Sequence, residues 1–463
     1  MDLALGLICE EISGKMLAGS PGLDIHSIAT DSRKAEQGSL FFALTGDSHD
    51  GHDFVNQALQ AGASAAVISR FPDLTELPAG KAVIQVEDTL QALQDLAAYY
   101  RSRFDIPVIA VTGSVGKTTT KEMIYHCLST VMRTVKTEGN FNNDIGLPLT
   151  IFRWEREHQA AVVELAMRGA GEISRLGKVA RPNCAVITNV EAVHLENLGR
   201  IEMVAQAKSE ILASLKEDEW ALINGDNEVL LQAASRYNCR KYTFGYNQKC
   251  DFRIEAVESY PGGMHVDMVL KGKPARFHFA LPARRLAPNI AACAGVSSLL
   301  GIDIEAIQAG LKAYKPYGNR LNIVRLAEGG AVINDTYNAN PLSMFAALET
   351  GREIAATGRL IAVLGDMFEL GDYEVQGHME VGRKAGEIDL DVLITIGDRA
   401  AYISRAALES GMAPGKVHHF AHKNDSWNFI QQIFDKKDTI IFKASRGMQL
   451  ETLADNVLVQ KKS

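Results

Sequence analysis

The stretch PVIAVTGSVGKTTTKEM, beginning at Pro107, sets a lysine and a run of threonines directly behind a glycine-bounded turn. Those residue types in that order suit a phosphate chain. Glycines let the backbone approach closely, a lysine reaches the β- and γ-phosphates, and a hydroxyl can ligate Mg²⁺. Gly113, Ser114, Gly116, Lys117, Thr118 and Thr119 are therefore the candidate nucleotide set. The stretch departs from the full phosphate-loop signature, G-x-x-x-x-G-K-[ST], because Val111 stands at the first glycine position. Three residues downstream extend the chemistry. Glu164 falls near the end of the apolar run AAVVEL, and His194 lies in TNVEAVHLENLG just after another such run. Both are placed to serve a metal ion or its water, or else to be a partnered strand-end carboxylate and an ordinary loop histidine. Lys208 lies on the stripe Ile201, Val204, Lys208, Ile211, Leu215, whose three- and four-residue steps predict the apolar face of a helix. Two readings follow: the ammonium snorkels to solvent, or the amine is converted by CO₂ into a carbamate that acts as a metal ligand.

These residues need a frame of strands and helices. VIAV, AAVVEL, CAVITN and WALING are short buried-strand runs, each followed by a helix-like stretch, which predicts parallel β-α units. The helix starting at Lys117 would then present free N–H groups to an anion. Before this block, SLFFAL and SAAVIS lie among Asp, Gly and Ser and predict a small α/β module, followed by a helix through EDTLQALQDLAAYYRSRF. Between Tyr242 and Pro282 the pattern alternates, predicting an antiparallel ribbon in or beside the parallel sheet. From about Leu321, AVIND, LIAVLGD, VLITIGD and TIIFKAS alternate with helical stretches, predicting a Rossmann-like, doubly wound third domain. The expected α/β organisation is thus 1–86, 87–318 and 319–463.

Composition narrows the class. With 463 residues, 46% hydrophobic and 22% charged, the chain can build several cores. A net charge of -8 disfavours nucleic acid as a partner. The six cysteines contain no C-x-x-C pair, which predicts reduced, buried thiols in a cytoplasmic protein. No apolar run reaches a membrane span, so no membrane insertion is expected.

Taken in order, VTGSVGKTTTKEM, TEGNFNNDIGLP, ELAMRGAGEI, NVEAVHLENLG, AKSEI, INDTYNANPLSM, LGDMFELG and KASRGMQLE resemble the Mur ligases. That family's nucleotide loop commonly lacks the first glycine. DTYNANP and GDMFELG are the most diagnostic pieces, because sister ligases carry other residues at those strand ends. The resemblance implies a three-domain, monomeric, cytoplasmic enzyme that uses ATP to join D-alanyl-D-alanine to UDP-N-acetylmuramoyl-tripeptide through an acyl phosphate. It implies two Mg²⁺ ions served by Thr118, Glu164 and His194, and a carbamylated Lys208 bridging near the second metal. Ser27, Thr30, Ser32, Arg33, Thr45 and Asp50 match the uridine-diphosphate neighbourhood. Thr137, Asn140, Asn142 and Asn143 match the pyrophosphate and muramoyl path. Asn289 matches an adenine contact, although Pro288 precedes it where many relatives have His, and Arg320 and Asp335 match groups that reach the nucleotide on domain closure. Asn338, Asn340 and Ser343 are expected around the dipeptide, with Lys443, Ser445 and Arg446 near the nucleotide or tripeptide end. Asn and Ser at such places serve equally well as turn and cap residues. The alternatives from the residues are a folylpolyglutamate-type ligase, a switch or motor ATPase, and a non-enzymatic nucleotide-binding scaffold. The first should lack DTYNANP, and intact Lys117 and Glu164 disfavour the last.

Overall fold

The computed structural model describes residues 1–46, 49–71, 79–191, 195–260 and 262–460. Three sheets carry the architecture, with a further two-stranded pairing near the N-terminus. The first has five strands in the order Lys15–Ala18, Ala82–Gln85, Ala65–Ile68, Ser39–Phe42, Ser27–Ala29, and only Lys15–Ala18 runs antiparallel to its neighbour.

The second sheet has nine strands. Its parallel part runs from Thr134–Lys136 through Ala160–Glu164, Val108–Thr112, Cys184–Ile187, Trp220–Asn224 and Arg240–Gly245 to Phe252–Tyr260. Gly263–Leu270 and Lys273–Phe279 then add antiparallel at the edge, so the predicted ribbon extends the parallel sheet rather than interrupting it. The strand Val108–Thr112, apolar up to Val111, is buried throughout because helices cover both faces. Val108–Thr112 pairs with Ala160–Glu164 on one side and Cys184–Ile187 on the other, with Glu164 opposite Val111 and Ile187 opposite Thr112. The chain therefore departs to one side and returns to the other around this strand. A crevice opens at such a switch point, beyond the carboxyl ends of the strands.

The third sheet has six strands, ordered Asn322–Arg325, Ala331–Asn334, Thr439–Lys443, Leu360–Gly365, Val392–Ile396, Val417–Phe420. It is parallel except for the first strand, as expected of a doubly wound layer.

Helix Thr89–Ser102 links the first two sheets. Asp88 caps it by accepting from the Leu90 and Gln91 N–H groups, and Leu93, Leu96, Ala97 and Tyr100 are buried. These side chains belong to one apolar cluster that includes Leu40 and Phe42 of the first sheet and Ala110 and Val163 of the second. The predicted stripe through Lys208 is shorter than expected. The α-helix covers Ile201–Ser209 and tightens into a 3₁₀ segment at Glu210–Ser214, so Leu215 leaves the helix while Val204, Lys208 and Ile211 stay buried. Glu210, at the change of winding, turns its carboxylate to the Gly171 and Ser174 N–H groups and caps helix Glu172–Ala180. Among the described residues no helix is long and apolar enough to cross a membrane, and all six cysteines are free thiols, five of them buried.

Candidate active site between the second and third sheets

The phosphate-loop candidate is built as its residue types require. Gly113 (φ +145°) and Gly116 (φ +82°) take backbone conformations that L side chains rarely adopt. A Cβ on Gly113 would fall 1.9 Å from Thr188 Oγ1, and one on Gly116 would fall 2.5 Å from Asn289 Nδ2. Gly116 is the N-cap of helix Lys117–Leu128, so the free N–H groups of that helix open toward the loop. The next strand end fixes the loop's shape. Asn189 accepts the Ser114 N–H through its carbonyl (3.0 Å) and the Val115 N–H through its side chain (2.8 Å), while Thr188 Oγ1 donates to the Val115 carbonyl (2.7 Å). Thr188 and Asn189 were not singled out from the sequence, although they sit in the TNVEAVH stretch; only their place at a strand end could have marked them.

Lys117 Nζ donates to the Gly113 and Ser114 carbonyls at 2.7 and 3.2 Å, which holds the ammonium over the loop. Burial lowers it from the ordinary lysine value; nearby Glu164 opposes the shift and Arg320 adds to it. Thr118 Oγ1 donates to Glu164 Oε2 (2.9 Å), and Asn142 Nδ2 donates to Glu164 Oε1 (2.8 Å). Glu164 is thus the partnered strand-end carboxylate allowed by the sequence, and its partner is the predicted metal-binding hydroxyl. Thr137 supports it from behind by accepting the Glu164 N–H on Oγ1 (3.0 Å). The hydroxyl and carboxylate oxygens are hard donors of the kind Mg²⁺ takes. His194 lies outside the described residues. Lys208 is 1% exposed, which removes the snorkelling reading. Its amine is pushed well below the ordinary lysine value by burial first and by repulsion from Lys117 second.

A cavity of about 490 Å³ lies over this loop. Ser114, Gly116, Lys117, Thr118, Thr119 and Glu164 form its floor, and Asn289 closes one wall by donating to the Gly116 carbonyl (3.3 Å) and to Thr120 Oγ1 (2.8 Å). Pro288 stands in the first turn of helix Ala287–Leu299, where a missing N–H leaves no bond unmade. Phe244, Leu281 and Leu286 make that end of the cavity apolar. The opposite wall comes from the third sheet and the segment leading into it: Arg320, Asp335, Asn338, Asn340, Ser343 and Lys443. Lys443 Nζ contacts Asp335 Oδ2 (2.7 Å) and the Asn338 carbonyl (2.9 Å), Asp335 Oδ1 accepts the Leu321 N–H (2.9 Å), and the Arg320 guanidinium lies 3.9 Å from the Tyr337 ring centroid. Residues distant in sequence therefore face one another across a single space.

Several predicted contacts also have local structural duties. Asn143 accepts the Gly146 N–H (2.8 Å) at the start of helix Gly146–Ile151. Asn340 and Ser343 form a reciprocal capping box at the start of Pro341–Ala355 while lining the cavity. Ser445 is 3% exposed and accepts the Phe368 N–H (2.9 Å), whereas Arg446 is exposed and lies 5.5 Å from the Tyr337 ring centroid. Asn140 accepts the Asn142 N–H through its carbonyl (2.8 Å) in the turn carrying Gly139.

The N-terminal set gathers elsewhere, and none of it lines this cavity. Thr30, Ser32, Arg33, Thr45 and Asp50 follow the ends of the adjacent strands Ser27–Ala29 and Ser39–Phe42. Ser27 stands at the start of its strand and donates to Glu36 (3.2 Å). Ser32 donates to Gln57 (3.0 Å), and Arg33 is exposed and forks onto Asp31 (2.9 and 2.8 Å), holding that carboxyl down to about 2. Thr45 pairs with Asp50 as an isolated bridge. Asp50 meets Arg70 (2.8 Å) and the ring of the buried His52 (2.6 Å). Because the Asp50 carboxylate accepts at Nδ1, His52 Nε2 is left to accept the Ser69 N–H (2.9 Å). His52 and Arg70 were not foreseen as members of this group.

Comparison with known proteins agrees across the chain. Residues 24–101 match the Mur ligase family catalytic domain, 111–297 the Mur ligase middle domain and 319–446 the Mur ligase glutamate ligase domain. A UDP-N-acetylmuramoyl-tripeptide–D-alanyl-D-alanine ligase from Bacillus subtilis is 40% identical over 94% of this chain and 93% of its own length. A crystal structure of MurF from Acinetobacter baumannii superposes with a TM-score of 0.89 at 31% identity, covering 99% of both chains. MurF ligase from Thermotoga maritima in complex with ADP gives 0.84 at 28% identity, covering 94% of this chain and 98% of the other.

Proposed function

Because this chain belongs to the Mur ligase family, we propose that the cavity over Lys117 binds ATP and directs its γ-phosphoryl group onto a peptide carboxylate. The protein is an ATP-dependent ligase that adds D-alanyl-D-alanine to UDP-N-acetylmuramoyl-tripeptide in peptidoglycan synthesis. The observation that supports the site assignment most is the meeting of Lys117, Thr118 and Glu164 with Asp335, Asn338 and Lys443 on one cavity. Phosphate-binding and acceptor-side groups then face the same reacting atoms. A carboxylate is a poor electrophile. Its oxygen attacks the γ-phosphorus, ADP leaves, and the dipeptide amine adds to the acyl phosphate carbonyl; loss of phosphate and a proton completes the amide.

In this reading Lys117 and the helix N-terminus hold the phosphates while negative charge shifts between anions. Asn289 and the apolar wall take the adenine, and Arg320 and Asp335 approach the nucleotide from the third sheet. Asn338, Asn340 and Ser343 receive the dipeptide, with Lys443, Ser445 and Arg446 near the nucleotide or tripeptide end. The 1–86 region holds the uridine diphosphate through the loops at Thr30–Arg33 and Thr45–Asp50, and Thr137, Asn140, Asn142 and Asn143 line the path between. Thr118 and Glu164, joined by His194, would hold Mg²⁺, which supplies charge neutralisation to the phosphates. The enzyme works in the cytoplasm as a monomer.

Lys208 is carbamylated in the active enzyme. Burial and the nearby Lys117 both disfavour the charged form, and the neutral form of the amine adds to CO₂ with loss of one proton to give an N-carboxylate. The change places an anion, attracted to Lys117, where an ammonium would be repelled. Enzyme equilibrated with ¹³C-bicarbonate should show one carbamate carbon resonance that Lys208→Ala abolishes. Added acetate should restore part of the variant's turnover. A bare amine at Lys208 in a high-resolution map of the Mg²⁺-bound enzyme would overturn the assignment. For the reaction itself, phosphate release should require ATP and both peptide substrates; release with ATP alone would favour a switch or motor ATPase.

A further inference from the structure

Helix Lys117–Leu128 carries a second lysine one turn below the phosphate loop. Lys121 is fully buried, and its ammonium donates to the Thr137 carbonyl (2.6 Å), pairs with Glu122 (3.0 Å) and stands 3.8 Å from Glu164 Oε2. Glu122 is also buried and has a second partner, Lys136 at 2.5 Å. Two lysines and two glutamates therefore balance one another where unpaired charge would be costly. The same two ammonium groups face one aromatic ring. Tyr317 has Lys121 at 5.6 Å and Lys136 at 5.9 Å from its centroid, and Lys136 is also 4.3 Å from the Tyr125 ring. Tyr317 sits in the 314–321 segment that joins helix Ile304–Ala313 to the first strand of the third sheet. Its hydroxyl reaches the 137–143 loop, lying 3.6 Å from where a Cβ on Gly139 would stand.

Two connections thus run from this cluster. One goes through Lys121 and Thr137 to both the carboxylate and the backbone N–H of Glu164. The other goes through the Tyr317 ring to the connection between sheets. We propose that Lys121, Glu122, Lys136 and Tyr317 act as a positioning unit that couples the placement of the 314–321 segment to that of Glu164, and so ties the metal-binding carboxylate to the arrangement of the third sheet. None of the four touches the reacting groups in this scheme. They act through Glu164 and the connecting segment, and the inference rests on the assignment of Glu164 to Mg²⁺.

The experiment is steady-state phosphate release at varied Mg²⁺, ATP and dipeptide in full-length Tyr317→Leu, Tyr317→Phe and Lys136→Met, with melting temperatures recorded alongside. Losing the ring should lower kcat about 5- to 10-fold in Tyr317→Leu and raise the half-saturating Mg²⁺ about threefold, the scale of one partly desolvated cation–π contact. Tyr317→Phe keeps the ring face and should stay within about twofold of the unchanged enzyme in both. Lys136→Met should reproduce the Mg²⁺ shift. The proposal is overturned if Tyr317→Leu leaves both quantities unchanged, if Tyr317→Phe is as damaging as Tyr317→Leu, or if kcat falls with the Mg²⁺ requirement unaltered, which is what general loosening would do. Glu164→Gln separates the two levels: a variant with full turnover and unchanged Mg²⁺ dependence overturns the functional reading, whereas an inactive Glu164→Gln beside an unaffected Tyr317→Leu overturns the coupling alone.

Discussion

The two junctions between the three sheets are made of different materials. The first and second sheets share one apolar cluster through helix Thr89–Ser102, which lays Leu93, Leu96 and Ala97 among residues of both. At the second junction the apolar clusters stop. Every described member of the two clusters around the third sheet falls at Leu321 or later. What crosses is a pair of ion pairs, Arg285 to Glu349 at 2.6 Å and Arg284 to Glu353 at 3.8 Å, together with the 314–321 segment and a cavity of mixed polar and apolar lining. A shared core is cooperative because separating it exposes apolar area on both sides at about 25 cal/mol per Å². Exposed ion pairs are worth about 0–1 kcal/mol and can be exchanged for water or ligand charge. The first junction is suited to hold its parts as one body and the second to open and close around substrates.

The largest test of this contrast is Lys117→Ala, on the floor of the polar junction. Turnover should fall by about two to four orders of magnitude, the scale of a lost electrostatic group, with the melting temperature nearly unchanged. Near-normal turnover would remove Lys117 from the chemistry. Leu96→Ala should do the reverse. The side chain is fully buried in the shared cluster, so a loss of about 2–5 kcal/mol in stability is expected, with the first and second sheets still unfolding in one transition. A calorimetric trace that separates an early unfolding of 1–86 would break the comparison.

A smaller effect is expected at Asp50. Burial raises its carboxyl, but hydrogen bonds from the His52 backbone and ring and from Arg70 outweigh that and hold it well below the usual carboxylate range. A carboxyl depressed on folding contributes stability above the unfolded value of about 4, and that contribution is lost as pH falls through the folded value. Asp50→Asn should therefore destabilise modestly at neutral pH, with the gap to the unchanged protein closing in acid; a gap that widens would reverse the sign. The smallest effect belongs to the ion pairs of the second junction. A double-mutant cycle on Arg285 and Glu349 should give at most about 1 kcal/mol of coupling, fading with salt. A larger, salt-insensitive coupling would mean that this junction is held as firmly as the first. Scattering that contracts when an ATP analogue and the tripeptide are added would sharpen the contrast.

Much of this was legible in the chain. Glycine spacing before Lys117, the apolar runs and the alternation after Tyr242 are local signals, because backbone freedom, strand burial and side-chain period act within a few residues. They marked the glycine-bounded turn before Lys117, the order of parallel units and the ribbon. The stripe at Lys208 is the apolar face its spacing predicts, but it ends sooner because the 3₁₀ tightening accompanies a capping bond from Glu210 to a helix some forty residues earlier, a partner that periodicity cannot see.

What only the tertiary structure decided is partnership. That Glu164 meets Thr118 and Asn142, that Thr188 and Asn189 shape the turn before Lys117, that Lys208 is sealed rather than snorkelled, and that Tyr317 lies over two ammoniums are facts about chain segments brought together by folding. The sequence by itself determined which residues could do the chemistry and on which kind of element each would sit, since those follow from side-chain type and short-range geometry. Which of them face one another across the cavity, and which junction is apolar enough to hold and which polar enough to yield, depended on the packing of distant elements, because burial and charge pairing are set by neighbours in space.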